Sequence, residues 1–408
     1  MNTEVVETQT NHPHGRTVRL HYLDWLRVVL ILGVFVYHAV SPFRAGFDWH
    51  ITNPERSVTL TSILVFIWPW ALPLFFLVAG AASMFALRRR SNRQYISERV
   101  ARLLIPLVVG TILLSPLQAY LEALNEESYQ GPFLSFIPGM LAELTSGNLL
   151  TPLTFTRWGF HLWFLAFLFA YSLLALPVFN WFKGDAGQSF ISWLGRLVEK
   201  RGGILLFLIP LALARVLVQP FAPEEHGWLD FVYSFLFFIL GYILYSDDRF
   251  VSAVRRDRWL LVAGGLLNLV AFGGLFAALG DTALEWVQTE TFVFPGSIIG
   301  IFLFTLSSWC WALCVLYLAM KYLDFTSKWL VYGNETIMPF YLFHQPVIIV
   351  IAFFVVQWDA GITVKLLVVV LGSLLVSLGL VEFVKRIKVL RGLFGIKIRR
   401  REMPSAES

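Results

Sequence analysis

Charge is scarce in this sequence. Only 14% of its 408 residues are Asp, Glu, Lys or Arg, against 57% that are hydrophobic, a balance that excludes an ordinary soluble globular domain. Cysteine is nearly absent. Cys310 and Cys314, the two present, lie one helical turn apart within an apolar run, poor geometry for a disulfide. With no His or carboxylate beside them, they read as packing residues and not as metal ligands. Long polar stretches are missing too, which excludes an appended soluble domain and leaves any chemistry to the apolar runs and their loops. The segment Met1 to Gly15 is polar, and the run after it is too long for a signal peptide and lacks a small-residue cleavage site. The first apolar run is therefore expected to stay in the mature protein. Neither an internal repeat nor the paired broken helices of many inverted-repeat transporters is evident.

Apolar runs supply what charge does not. Runs of about 20 residues, the length needed to cross a bilayer as a helix, occur at 24–43, 58–87, 100–121, 161–182, 203–220, 230–246, 259–280, 296–320, 335–357 and 362–384. The expected fold is all-α, a polytopic transmembrane helical bundle of about ten spans. Pro69 and Pro73 give the long second run a reason to kink. Basic residues gather on one side of this topology: Arg16 and Arg19, Arg88 to Arg99, Lys183 to Arg201, Arg249 to Arg258, Lys321 with Lys328, and Lys385 to Arg401. Under the positive-inside rule that side is cytoplasmic, with both termini there. The net charge of +5 is thus a topological signal and implies no nucleic-acid partner. Residues from about Asn125 to Phe160 form the longest outward stretch, with a short interfacial helix expected over Phe133 to Leu144. Arg399 to Ser408 reads as a basic tail near anionic membrane lipids.

Within these runs a few ionisable residues invite a functional reading, because such groups are costly in a membrane unless they face protein or a water-filled cavity. Arg27 and His38 have ten residues between them, so they share one helix face at a separation of about 16 Å. His38 has the chemistry to accept and return a proton, or it is a core histidine bonded to a helix carbonyl. Arg27 either serves the same site or snorkels, and Asp24 is one turn away to pair with it. Arg99 and Arg102 stand at the cytoplasmic start of the third run, where they either clamp phosphate oxygens or anchor the helix. His344, followed by Gln345 and Pro346, falls near mid-membrane, and the proline frees a carbonyl that calls for polar company. His161 and Trp163, after Arg157 and Trp158, sit at the outward end of the fourth run. Arg215 and Gln219 occupy the outward end of the fifth, where Arg215 either binds an acceptor or snorkels.

Taken in order, these pieces resemble the acyltransferase 3 family of integral membrane acyltransferases. The matching segments are Tyr22-Leu23-Asp24-Trp25-Leu26-Arg27 with His38; Leu72-Pro73-Leu74-Phe75-Phe76-Leu77-Val78-Ala79-Gly80; Arg99 and Arg102 with Pro106; His161-Leu162-Trp163-Phe164-Leu165; and Tyr341-Leu342-Phe343-His344-Gln345-Pro346. The His161 block and Phe237-Phe238-Ile239-Leu240-Gly241 look closest to the branch containing the periplasmic-glucan succinyltransferase. The fourth run lacks the carboxylate often found in the lipopolysaccharide-acetylating branch.

The resemblance implies a membrane acyltransferase domain over 21–390, between a cytoplasmic N-terminal tail (1–20) and a basic cytoplasmic C-terminal tail (391–408). It implies transfer of an acyl group, acetyl, succinyl or similar, from cytoplasmic acyl-CoA to a hydroxyl of an extracytoplasmic glycan. His38 would be the general base or a transient acyl carrier, and Arg27 its essential partner on the same helix face about 16 Å away; His344 stands as a further catalytic candidate from its own position near mid-membrane. Arg99 and Arg102 would hold the donor's CoA phosphates; His161, Trp163 and Arg215 stand as candidate substrate contacts from their positions, apart from the resemblance. Acyl-CoA is then a co-substrate, no metal is called for, and the location implied is the bacterial inner membrane. The competing reading is a transporter of a glycan, lipid or polyol that uses the same polar residues as a pathway.

Overall fold

Serine caps and proline breaks set the limits and bends of the long helices. In this computed structural model the described residues are 20–145, 159–222, 226–287 and 292–396, with Pro152 and Glu224. The first helix, α1 (His21–Val40), runs unbroken into a single 3₁₀ turn at Ser41–Phe43. Ser57 caps α2 (Val58–Leu87) by accepting from the Leu60 amide. Pro73, inside α2, removes the donor that the Pro69 carbonyl would have used. Ser308 Oγ takes that carbonyl at 2.5 Å, joining α2 to a later helix.

The third span, α3 (Asn92–Asn125), starts from a capping box at Ser91 and Gln94. It widens to a π-helix at Val100–Leu104, the segment that carries Arg102. Next, α4 (Phe133–Thr145) forms where a short helix was expected. The expected fourth span is broken: α5 (Trp163–Leu174) and α6 (Leu176–Lys183) meet at 42°. After α7 (Asp185–Glu199), the expected fifth span is a 3₁₀ segment leading into the short α8 (Leu208–Val218). The sixth bends by 103° between α9 (Trp228–Leu244) and α10 (Asp248–Arg256). The remainder are α11 (Arg258–Leu279), α12 (Asp281–Val287), α13 (Gly296–Tyr322), α14 (Lys328–Val355), α15 (Ile362–Arg386) and α16 (Lys388–Leu393).

Among the described residues seven helices are long and apolar enough to cross a membrane, or nine if each bent pair is one span. There is no strand among them, only an isolated bridge between Arg44 and Ser57. The chain is an all-α integral membrane bundle. Arg16, Arg19, Arg157, Trp158 and Arg399 to Arg401 lie outside the described residues.

Two close helix approaches position the site. A side chain at Gly80 would collide with the Phe238 carbonyl, and one at Gly241 with the Leu77 carbonyl, so α2 and α9 meet backbone to backbone. Close contact through small residues is what holds helices together in lipid, where apolar surface gains little by being hidden. On the other side of α1, a Cβ at Gly333 would come within 2.9 Å of Val28. That glycine lets α14 approach α1 closely enough for their polar side chains to meet.

Candidate active site

α1 and α14 touch through two polar pairs. Near the start of α1, Arg27 donates to Asp24 on its own helix and to Asn334 Oδ1 on α14 at 3.2 Å. Three turns on, His38 Nδ1 lies 3.0 Å from His344 Nε2, with the imidazole rings stacked 5° from parallel. Arg27 is followed by His38 after eleven positions and Asn334 by His344 after ten, so the two helices run in the same direction with matched polar groups. The unbroken α1 keeps the two pairs about 16 Å apart.

The hydrogen bonds fix the imidazole tautomers. His344 Nδ1 lies 2.6 Å from the Tyr341 carbonyl, which can only accept, so Nδ1 carries the proton. Neutral His344 then presents an acceptor at Nε2. His38 must donate to it from Nδ1, and the lone pair of neutral His38 is left on Nε2. The Tyr341 carbonyl also accepts from His161 Nε2 at 3.0 Å, while the Tyr341 hydroxyl donates back to the His161 carbonyl. His161 is buried edge-on against His344, with ring centroids 4.9 Å apart. Its Nδ1 has no hydrogen-bond partner among the described residues.

His38 lines a cavity of about 2760 Å³ that follows α1 from Leu26 to Val40 and continues past Arg44 and His50 to Ser135 and Met140 near α4. At 1.5 Å per residue, the α1 stretch alone spans about 21 Å. Trp163 also lines the cavity, 4.3 Å from the His226 ring. Phe160 and His226 hold positive φ angles of 49° and 57°, a conformation that non-glycine residues adopt at a cost and that often marks functional loops. A second histidine pair on the same wall was not read from the sequence. His50 Nδ1 meets Glu122 Oε1 at 2.9 Å, and Gln345 Nε2 reaches His50 Nε2 at 3.3 Å. His50 lies in a loop with no periodicity to mark it; the one available signal was the position of Gln345 directly after His344.

Arg99 and Arg102 differ in environment. Arg99 Nη2 donates to Ser83 Oγ at 3.1 Å, and its guanidinium stacks 4.7 Å from the Tyr95 ring. Arg102, in the π-helical turn, is exposed and within electrostatic range of Glu98 as well as of Arg99, Arg27 and Arg90. Arg215 is buried and does not line the cavity: it donates to Gln219 at 3.3 Å and packs 4.0 Å above the Phe304 ring, which itself lines the cavity wall. Among the described residues no group of three or more His, Cys, Asp or Glu is placed to hold a metal ion.

The family model described as the acyltransferase domain matches residues 20–382. The glucans biosynthesis protein C of Salmonella paratyphi A is 24% identical over 395 residues, covering 93% of this chain and 95% of that protein. The protein of that name from Salmonella agona (strain SL483) matches at the same identity and coverage, and that from Salmonella enteritidis PT4 is 23% identical over the same shares. No solved structure matches the chain.

Proposed function

Because this chain belongs to the acyltransferase domain family, we propose that it moves an acyl group from cytoplasmic acyl-CoA to a hydroxyl of an extracytoplasmic carbohydrate, with His38 as general base. An O-acyltransferase activity follows from the family; the donor, the acceptor and the base are the proposal. The name of the relatives supports a glucan as acceptor, and the long apolar helices support a membrane location, which we take to be the inner membrane of a bacterium. The basic loops support an arrangement of ten spans with both termini cytoplasmic, the bent helix pairs and α8 completing the count.

The observation that carries the proposal is the tautomer chain from the Tyr341 carbonyl through His344 to His38. It leaves the Nε2 lone pair of a cavity-lining imidazole free to take a proton. In the step proposed, the acceptor oxygen attacks the thioester carbonyl as its proton passes to His38 Nε2. The tetrahedral intermediate then collapses: the carbon–sulfur bond breaks, and the departing thiolate takes the same proton from Nε2. His344 holds His38 in the reactive tautomer and accepts its Nδ1–H throughout, so the transient imidazolium keeps a partner. A bound base of this kind contributes about 10² to 10⁴ in rate.

Arg102, exposed and near Arg27, Arg90 and Arg99 as well as Glu98, is the proposed contact for CoA phosphates, with Arg99 shaping the turn and sharing the field. Arg27 shapes the donor end of the channel with Asn334. His161 and Trp163 line or support the acceptor end, and Arg215 acts from behind Phe304. The test is purified protein in lipid vesicles, given acyl-CoA on one face and a gluco-oligosaccharide on the other. Release of free CoA thiol together with an acylated oligosaccharide is expected. Oligosaccharide crossing the bilayer unmodified while a panel of acyl-CoA esters stays intact would refute the proposal.

A further inference from the structure

We propose that His50, oriented by Glu122, binds a second hydroxyl of the acceptor and so selects which hydroxyl is presented to His38. This rests on the acyl-transfer reading above. Glu122 Oε1 accepts from His50 Nδ1 at 2.9 Å, which puts the lone pair of neutral His50 on Nε2, as on His38. Gln345 Nε2 reaches that nitrogen at 3.3 Å, long for a hydrogen bond and weak enough for a substrate hydroxyl to replace. His50 and Glu122 both line the cavity with His38, and their side chains are 22% and 30% exposed.

Consecutive residues of α14 therefore address the two imidazoles: His344 meets His38, and Gln345 meets His50. The Trp49 ring neighbours both and lines the same cavity, 6.1 Å from His38 and 26° from parallel, and 5.0 Å from His50. Two hydrogen-bonding nitrogens that share an indole neighbour suit a molecule with several hydroxyls on an apolar ring, which is the chemistry of a sugar. An isolated alcohol would use only the His38 half. The loop that carries Trp49 and His50 is itself held in place. Asn53 donates its amide to the Pro42 carbonyl at 2.8 Å, and Lys365 Nζ donates to Asn53 Oδ1 at 3.2 Å.

A residue that only tethered this loop would weaken every step alike, whereas an acceptor subsite affects the acceptor alone. The experiment measures transfer from acyl-CoA to a gluco-oligosaccharide in vesicles for wild type, His50→Gln, Glu122→Gln and the double variant. The expected result for His50→Gln is a rise of about ten-fold in acceptor KM, the loss of one hydrogen bond, with donor KM unchanged within about two-fold. Glu122→Gln should show a smaller rise, and the double variant should match His50→Gln because Glu122 acts through His50. NMR of the product should show one acylated position with wild type and a mixture with His50→Gln. Should His50→Gln fail to insert, Glu122→Gln and Trp49→Leu carry the same acceptor-only expectation. An unchanged acceptor KM, or equal rises for donor and acceptor, would overturn the subsite while leaving acyl transfer intact. A wild type that releases no CoA thiol would instead overturn the underlying reading.

Discussion

Replacing His344 tests the tautomer chain more sharply than deleting His38 does, since it leaves the reacting imidazole in place. His344→Leu removes the acceptor for His38 Nδ1–H and strands that donor in a half-buried setting. Leaving a buried donor unmade costs about 1–3 kcal/mol. If that cost falls on the population of the productive tautomer, kcat drops about 5- to 150-fold. His344→Gln can place an amide oxygen near the former Nε2, so it should keep part of the rate, limited by the fraction of time the amide presents oxygen and not nitrogen. The expected order of kcat is wild type, then Gln, then Leu, with acyl-CoA KM unchanged, because His344 does not line the cavity. The assay is initial-rate release of CoA thiol from vesicles carrying equal amounts of inserted protein. A Leu variant within about two-fold of wild type, or one faster than the Gln variant, would refute the argument that His344 sets the state of His38.

Arg102→Ala should raise acyl-CoA KM by about 10- to 150-fold, the value of a charge-assisted contact, and added salt should narrow the gap to wild type; unchanged donor affinity would make Arg102 a membrane anchor. Gly241→Ala places a methyl group against the Leu77 carbonyl, which no rotamer change relieves, and should destabilise the bundle by about 1–3 kcal/mol as read by thermal unfolding in detergent; an unshifted midpoint would deny the close α2–α9 approach. Arg27→Lys keeps the charge but loses the planar guanidinium whose Nη2 donates to both Asp24 and Asn334, so transfer should fall while a comparable loss in Asn334→Leu identifies the shared contact. If Arg27→Lys turned over normally, Arg27 would be an interfacial anchor.

Much of this architecture is legible in the sequence because hydropathy and charge asymmetry act over whole helices. The runs around His38, Pro73 and His344 fall where α1, α2 and α14 form, and the Asp24–Arg27 pairing follows from their spacing of three. Direction is less legible than length. A count of apolar residues cannot see that the fourth run bends at Ala175 or that the sixth turns by 103° before Asp248. Nor does it reveal that Val100–Leu104 widens to a π-turn and separates the environments of Arg99 and Arg102.

At the site, His38, His161 and His344 each stand out individually as polar groups in apolar runs, but their meeting depends on helix packing, through the glycine at 333 that brings α14 against α1. His50 and Glu122 were missed because a loop histidine and a carboxylate at a helix end have ordinary surface explanations until the fold brings them together. Arg215, expected from its place at the outward end of the fifth run either to bind an acceptor or to snorkel, lies against the Phe304 ring that lines the cavity.

The central claim is that His38 is the base. The measurement that bears on it most directly is single-turnover cleavage of acyl-CoA in the presence of acceptor by vesicle-inserted His38→Gln, compared with wild type at equal protein and with donor binding measured in parallel. The expected result is normal insertion, donor affinity within about two-fold of wild type, and a chemical step slowed by about 10² to 10⁴. A His38→Gln protein that bound donor and transferred the acyl group at a near-normal rate would contradict it.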